Sequence, residues 1–144
     1  MIFEDFIRRG DVKKISPDRE LAKSLIKIAK LRIKNLRAQQ PTEENSFELV
    51  EKTYEIIKEL IDALIALKGY KSYSHEACIS FLKKYYSAQV PLTYVNKINR
   101  YRIIRNEIVY RGLLTTKEEG EQALVNLKFI SEILFKILKH EGEL

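Results

Sequence analysis

The sequence has few of the residues that punctuate or cross-link a chain: its 144 residues include one cysteine, three prolines, five glycines and no tryptophan. The single cysteine, Cys78, excludes an internal disulfide and agrees with a reducing, cytoplasmic location. So few prolines and glycines favour long helices over a many-stranded sheet. No apolar run approaches the length of a membrane span, and the charged start MIFEDFIRRG does not fit a signal peptide, so we expect no membrane association.

The motifs of common enzyme classes are also missing. Only two histidines occur, and no third ligand stands at helical spacing from His75, so no metal ion is expected. There is no glycine-rich phosphate loop and no serine nucleophile motif. Nucleotide hydrolysis and serine-based hydrolysis therefore have little support, and no cofactor is expected. Cys78 lies within the apolar stretch EACISFL and is predicted to be a small core residue.

What the sequence does contain is a balance of 45% hydrophobic and 32% charged residues, typical of one soluble globular domain over residues 1–144. Periodicity and capping signals predict an all-α fold, an up-and-down bundle of four to five helices without strands. A short helix is also expected within residues 1–15. In the first long helix, two adjacent lines form the expected apolar face: Leu21, Leu25, Ile28 and Leu36 on one, and Ala22, Ile26, Ala29 and Ile33 on the other. The predicted long helices, with their capping residues, are 16–37 with Ser16, 43–67 with Thr42, 75–86 with Ser74, 91–112, and 116–140 with Thr116 and Glu119.

The net charge of +6 is unevenly distributed. Residues 68–111 carry nine basic and two acidic residues, whereas residues 43–62 carry two basic and seven acidic ones. Either the acidic helix lies beside the basic ones and offsets their charge within the bundle, or the basic residues form a surface that attracts phosphates.

The helix predicted over 91–112, PLTYVNKINRYRIIRNEIVYRG, carries an arginine in its most apolar face. Tyr94, Ile98, Tyr101, Arg105 and Ile108 fall within about 80° of arc. Because a guanidinium cannot lose its proton to escape burial, such an arginine needs an anion or a partner. That partner is either a phosphate-bearing ligand or a glutamate of the acidic helix.

Three segments of the chain occur together in a characteristic order. They are GDVKKISPDRELAKSLIKIA, ALKGYKSYSHEACISFL, and RNEIVYRG before a capped last helix. In this order the chain resembles archaeal members of the HEPN domain family, small helical bundles with an R-x4-6-H motif. The resemblance implies a homodimer in which the motif helices of two protomers face each other. It also implies a link to metal-independent ribonucleases, often toxins paired with a minimal nucleotidyltransferase antitoxin that attaches AMP to a tyrosine near the motif.

The resemblance assigns the catalytic positions of the family to Arg105, Asn106 and Tyr110. Tyr110 stands where the motif histidine is expected, as in branches of the family with R-x4-Y. RNA cleavage without a metal needs a base for the 2′-hydroxyl and a cation for the developing phosphate charge. A tyrosine with an ordinary pKa of about 10 is a poor base at pH 7. We therefore expect weak or absent catalysis.

Three functional interpretations remain open. The first is a homodimer that binds RNA or a nucleotide between paired motif helices, within a toxin–antitoxin or nucleotidyltransferase-associated system. In it Arg105 contacts phosphate, Asn106 orients it, and Tyr110 hydrogen-bonds to the ligand or stacks on it. The second is an active ribonuclease with Tyr110 or His75 as the base, and the third is a subunit that docks a nucleotidyltransferase and has no ligand of its own. Further nucleic-acid contacts are predicted at Arg102, Arg111, Asn99 and His75. The structural alternatives are a hydrogen-bonding residue at a helix start for His75, ordinary surface charges for Arg100 and Arg111, and core or interface aromatics for Tyr94 and Tyr110.

Overall fold

This computed structural model describes residues 1–142, which contain six helices and two short strands. The predicted all-α bundle is confirmed, and the short N-terminal helix is present as well. In chain order the elements are α1 (Phe3–Arg8), β1 (Val12–Lys14), α2 (Arg19–Arg37), α3 (Ser46–Leu67), β2 (Tyr70–Ser72), α4 (His75–Tyr85), α5 (Leu92–Arg111) and α6 (Lys117–His140).

Helix α3 is the centre of the bundle because its sequence is apolar almost all round. Leu49, Ile57, Leu60 and Leu64 are completely buried, and each such side chain contributes about 1.5–3 kcal/mol by leaving water. Helices α2, α5 and α6 all pack against α3. Charged residues form a strip along one edge of α3. The strip contacts α2 through Glu59 and α5 through Glu55.

Helix α2 differs from the prediction at its start and along its core face. It begins after Asp18, whose Oδ1 accepts a hydrogen bond from the backbone N–H of Leu21 at 2.9 Å. Ser16 is not the cap, because the backbone here is held in an extended path by bonds to the end of α3, including Asp18 N–H to the Ala66 carbonyl at 3.0 Å. The buried face is also narrower than expected, because Leu21 and Ile28 are exposed. The residues that face the core are Ala22, Ile26, Ala29 and Leu36.

The expectation of a strand-free chain is wrong, because β1 and β2 form a small antiparallel ribbon in which Val12 lies opposite Ser72. A further bond, from the Tyr73 N–H to the Asp11 carbonyl at 2.7 Å, extends the pairing toward α4. Gly69 turns the chain from α3 into β2 with a φ of +85°, a conformation that favours glycine. Three-residue strands carry no readable alternation, so the pairing was invisible in the sequence.

The helix boundaries around the motif helix follow the predicted chemistry. Ser74 caps α4, Gly112 ends α5 in the left-handed conformation with a φ of +67°, and Thr116 and Glu119 form the predicted capping box at the start of α6. Thr42 does not cap α3 directly. It exchanges hydrogen bonds with Asn45 across a turn, and α3 therefore begins later than predicted. Among residues 1–142, no helix combines the length and the apolar character required to cross a bilayer.

Candidate functional site on helix α5

Helix α5 presents its apolar face to the core, and Arg105 lies at the margin of that face. Val95, Ile98, Tyr101 and Ile108 are buried, whereas the Arg105 side chain keeps 17% of its surface exposed. The guanidinium therefore lies half-buried between α5 and the charged strip of α3.

The first partner of Arg105 is a carboxylate of the same chain. Its Nε donates to Oε1 of Glu55 at 2.8 Å, and its Nη1 donates to Oδ1 of Asn106 at 3.2 Å. Burial opposes the charge on Arg105, but the Glu55 carboxylate and then the Tyr110 hydroxyl outweigh it, so the pKa of the guanidinium is raised. Of the two partners that the sequence left open, the structure contains the glutamate of the acidic helix.

Arg102 lies one turn before Arg105 and is also held within the chain. Its Nε donates to Oδ1 of Asn99 at 3.0 Å, and its Nη1 lies 3.8 Å from Oε1 of Glu76. Asn99, Arg102, Arg105 and Asn106 therefore form one continuous polar row, as their spacing on a helix requires.

The fold brings His75 to this row although it lies far from the motif in sequence. His75 is the first residue of α4, and its Nδ1 lies 2.9 Å from the hydroxyl of Tyr54 on α3. Burial lowers the pKa of His75, and the positive charges of Lys58 and Arg105 lower it further. Burial raises the pKa of Tyr54. At neutral pH the site therefore holds a neutral imidazole bonded to a protonated phenol.

A third cation, Lys58 on α3, completes the cluster and is paired as well. Its Nζ lies 2.7 Å from Oδ2 of Asp62, whose Oδ1 lies 3.8 Å from the sulfur of Cys78. Burial raises the pKa of the Cys78 thiol to about 12, so the cysteine is a core thiol, as expected, and not a thiolate nucleophile. We refer to Arg102, Arg105 and Lys58, with the carboxylates of Glu76, Glu55 and Asp62, as the paired flank of α5.

Tyr110 and Arg111 lie at the exposed end of the helix. The Tyr110 side chain is among the most exposed apolar groups, at 75%. Arg111 points away from the cluster, and its Nε lies 3.8 Å from Glu107 on the same helix. The structure thus groups the predicted residues Arg105, Asn106, Tyr110, Asn99, Arg102 and His75, and leaves Arg111 as a surface charge.

A row of uncharged residues follows the outer face of α5 beside this cluster. Every member is exposed or half-buried, and the spacing alternates between four and three residues. This spacing is typical of the contact line of a coiled coil. We call this row the α5 seam; it consists of Leu92, Asn96, Asn99, Ile103, Asn106 and Tyr110.

Sequence reasoning did not identify Glu55 and Tyr54, the two α3 residues that hold Arg105 and His75. The available signal was general: an acidic run on the helix predicted to be central. Among residues 1–142, no three His, Cys, Asp or Glu side chains are grouped so that they could hold a metal ion.

In comparisons with known proteins, no family model, no curated protein and no solved structure matches this chain. The HEPN resemblance therefore stays a prediction carried by the motif segments.

Proposed function

We propose that the chain is a cytoplasmic HEPN-type domain that pairs with a second copy through α5 and binds RNA or a nucleotide at the cleft between the two motif helices. In this proposal it belongs to a toxin–antitoxin or nucleotidyltransferase-associated system. The observation that carries the proposal is that the α5 seam shares Asn106 with the polar row and lies directly beside Arg102 and Arg105.

The seam supports pairing with an identical copy in particular. In a twofold interface the same patch comes from both copies, so a charge close to the axis would face its own symmetry mate. The α5 seam avoids this problem because it contains no charged residue. Ile103 and Tyr110 supply exposed apolar surface, and asparagines at such positions fix the register of paired helices.

The polar row supports a ligand with phosphate groups. A guanidinium has five N–H donors, and Arg105 uses two of them for Glu55 and Asn106. The remaining donors can bind phosphate oxygens, while the exposed ring of Tyr110 can stack on a base. Glu55 competes for Arg105, so we expect modest affinity with a clear dependence on salt.

A second function, metal-independent RNA cleavage, is favoured by one specific observation. His75 is a neutral imidazole near Arg105, which is the protonation state that a general base requires. In this version His75 accepts the 2′-hydroxyl proton and Arg105 stabilises the developing phosphate charge. Tyr110, whose hydroxyl adds to the charge stabilisation of Arg105, then contributes to binding and not to proton transfer.

The binding proposal is tested by measuring the affinity for single-stranded RNA over a range of salt concentrations. Arg105→Ala should weaken binding and reduce the salt slope by about one unit. Glu55→Gln should strengthen binding, because it releases Arg105 from its competing carboxylate. Lys128→Ala, which removes an exposed lysine on α6, is the matched control. Equal binding by wild type, Arg105→Ala and Glu55→Gln would contradict the proposed contact.

Dimerisation is tested by sedimentation equilibrium, in which the protein should have about twice the chain mass of 16.9 kDa. Ile103→Glu places a charge at the centre of the seam and should give a monomer. Val125→Glu, at an exposed apolar position of α6, should leave the dimer intact. A wild-type monomer at micromolar concentration would remove the composite cleft.

An RNA cleavage assay separates the remaining interpretations. Cleavage that is lost in both His75→Asn and Arg105→Ala supports the ribonuclease. Binding without cleavage supports the first proposal. The absence of both, in a protein that is still dimeric, favours the interaction subunit for a nucleotidyltransferase.

A further inference from the structure

The opposite side of α5 borders a cleft that the motif does not involve. Helices α5 and α6 both pack on α3, and a cleft of about 280 Å³ lies between them. Its floor is apolar, formed by Val50 of α3 and Ile104 of α5. Its walls are polar, and they consist of Lys97, Arg100 and Tyr101 from α5 with Glu119, Gln122 and Asn126 from α6.

The inner end of the cleft holds a buried hydrogen bond with a spare donor. Asn126 is only 7% exposed, and its Nδ2 donates to the hydroxyl of Tyr101 at 2.7 Å. The hydroxyl therefore acts as an acceptor in this contact and keeps its own hydrogen, for which the described residues offer no acceptor. Burial raises the pKa of Tyr101, so the hydroxyl remains a donor at neutral pH.

Two cations stand beside this donor, and no carboxylate neutralises them. Within residues 1–142, neither Lys97 nor Arg100 forms an ion pair. Lys97 has only a long contact of 3.5 Å with Oδ1 of Asn126 and the face of the Tyr94 ring at 5.4 Å. The one carboxylate that lines the cleft belongs to Glu119, whose Oε1 is turned to the helix cap, where it accepts from the N–H and the hydroxyl of Thr116 at 3.2 and 3.1 Å.

We infer that this cleft binds a small molecule carrying a phosphate monoester. Lys97 and Arg100 bind the phosphate at the mouth of the cleft, because they supply positive charge and hydrogen-bond donors and neither is engaged in an ion pair within residues 1–142. The Tyr101 hydroxyl donates to the inner part of the ligand, and the rest of the ligand covers Val50 and Ile104.

The size of the cleft limits the ligand. Pockets for small molecules begin at roughly 300 Å³, and this cleft lies at that lower end. It therefore fits one phosphorylated metabolite and does not fit a folded polymer. The site lies within one chain and does not depend on dimerisation or on Arg105.

The experiment is a calorimetric titration of the full chain with three probes: ribose 5-phosphate, inorganic phosphate and ribose. Ribose 5-phosphate should bind, inorganic phosphate should bind more weakly, and ribose should not bind. Lys97→Ala and Arg100→Ala should each weaken the binding of ribose 5-phosphate about tenfold, the loss of one charge-assisted contact. Tyr101→Phe should weaken it less. Lys128→Ala, a cation of the same bundle outside the cleft, should change it less than twofold.

Three results would overturn the inference: no binding of either phosphate probe at millimolar concentration, equal binding of ribose, or an equal loss in Lys128→Ala. Circular dichroism and thermal melting of each variant show whether it is folded, and Lys97 and Arg100 are peripheral enough that their removal should leave the fold unchanged. Binding that persists in Ile103→Glu separates this site from the RNA proposal, because that variant loses only the dimer cleft.

Discussion

The two flanks of α5 carry similar cations and differ in what faces them. On the paired flank, Arg102 and Arg105 meet carboxylates from α3 and α4. On the open flank, formed by Lys97 and Arg100, the facing helix offers the amides of Gln122 and Asn126 and the Glu119 carboxylate of the helix cap, and neither cation forms an ion pair within residues 1–142. One helix thus has a neutralised side and a positively charged side.

An arginine in a motif does not by itself create a site with net positive charge, because a carboxylate of the same chain can pair with it. A half-buried ion pair holds its partners in place, but the desolvation of both charges offsets much of their attraction. The ion pairs of the paired flank therefore fix the positions of its side chains more than they attract anions. Lys97 and Arg100 form no ion pair within residues 1–142, so the open flank attracts a small anion more strongly than the paired flank does.

The largest effect on stability is expected from Gly120→Ala. The added methyl group pushes α6 away from α3 and so disrupts the cleft of the open flank. A Cβ at Gly120 would lie 2.7 Å from Ser46 Oγ and 3.2 Å from its Cα. Ser46 cannot turn away without losing its bonds to the Thr115 hydroxyl and the Thr116 carbonyl. We expect the free energy of unfolding to fall by about 2–3 kcal/mol in urea denaturation. A stability equal to wild type would show that the two helices can separate without cost.

That clash has an internal control. In the double variant Ser46→Ala with Gly120→Ala, the nearest clashing atom is absent. The double variant should lose less stability than the sum of the single changes, because the two residues are in contact. Simple additivity would contradict a direct clash.

The second effect tests the paired flank. Glu55→Ala leaves the half-buried Arg105 guanidinium without its carboxylate, and we expect a loss of about 1–2 kcal/mol in the free energy of unfolding. Glu48→Ala, at an exposed acidic position of the same helix, should change it by less than about 0.5 kcal/mol. Equal effects of the two substitutions would mean that the ion pair adds no order to the site.

A smaller effect is expected from Tyr101→Phe, which sharpens the open flank. The substitution removes the acceptor of the buried Asn126 amide and should cost about 1 kcal/mol. Tyr94→Phe on the same helix is the matched control, because Tyr94 contacts Lys97 through its ring and does not bond to Asn126. Chemical denaturation of both variants measures the difference, and a larger loss in Tyr94→Phe would contradict the assignment.

The smallest effect is a pH dependence that belongs to His75. Because the pKa of His75 is lowered below its ordinary value of 6.5, the unfolded chain takes up a proton that the folded chain resists. The free energy of unfolding should therefore fall as the pH decreases through about 6.5. Above that pH His75 is neutral in both states and adds no dependence.

His75→Asn should remove this part of the pH dependence while the groups around it, Lys58, Glu55, Asp62 and Arg105, remain. Burial raises the pKa of Asp62 and of Glu59, and these carboxyls contribute in the opposite sense at lower pH. The difference between wild type and variant, measured by urea denaturation at several pH values, isolates the histidine. Parallel curves would refute a lowered pKa for His75.

Local sequence signals were sufficient to predict most of the fold. The apolar period of α3 and α6, the left-handed Gly112 and the capping box of Thr116 with Glu119 depend on nearby residues, and they were predicted. The start of α2 was misplaced because Asp18 is held by the end of α3, a contact between distant segments. The exposure of Leu21 and Ile28 has a similar origin, since small alanines let α2 pack on a neighbouring face.

The candidate site was predictable only in part, for the same reason. The order of Asn99, Arg102, Arg105 and Asn106 follows from helix geometry alone. The partners Glu55 and Glu76 come from other helices, so their pairing depends on how α3, α4 and α5 are arranged. The open flank has one signal in the sequence that was not used: Asn126 is, with Ser131, a polar residue on the otherwise apolar core face of α6.

The ribbon of β1 and β2 makes the beginning of the chain a structural component of the His75 region. It fixes the segment immediately before α4 through residues near Val12, so the imidazole depends on a region remote from it in sequence. An insertion or a proteolytic cut within residues 11–14 would therefore disturb the imidazole as well as the segment that is cut.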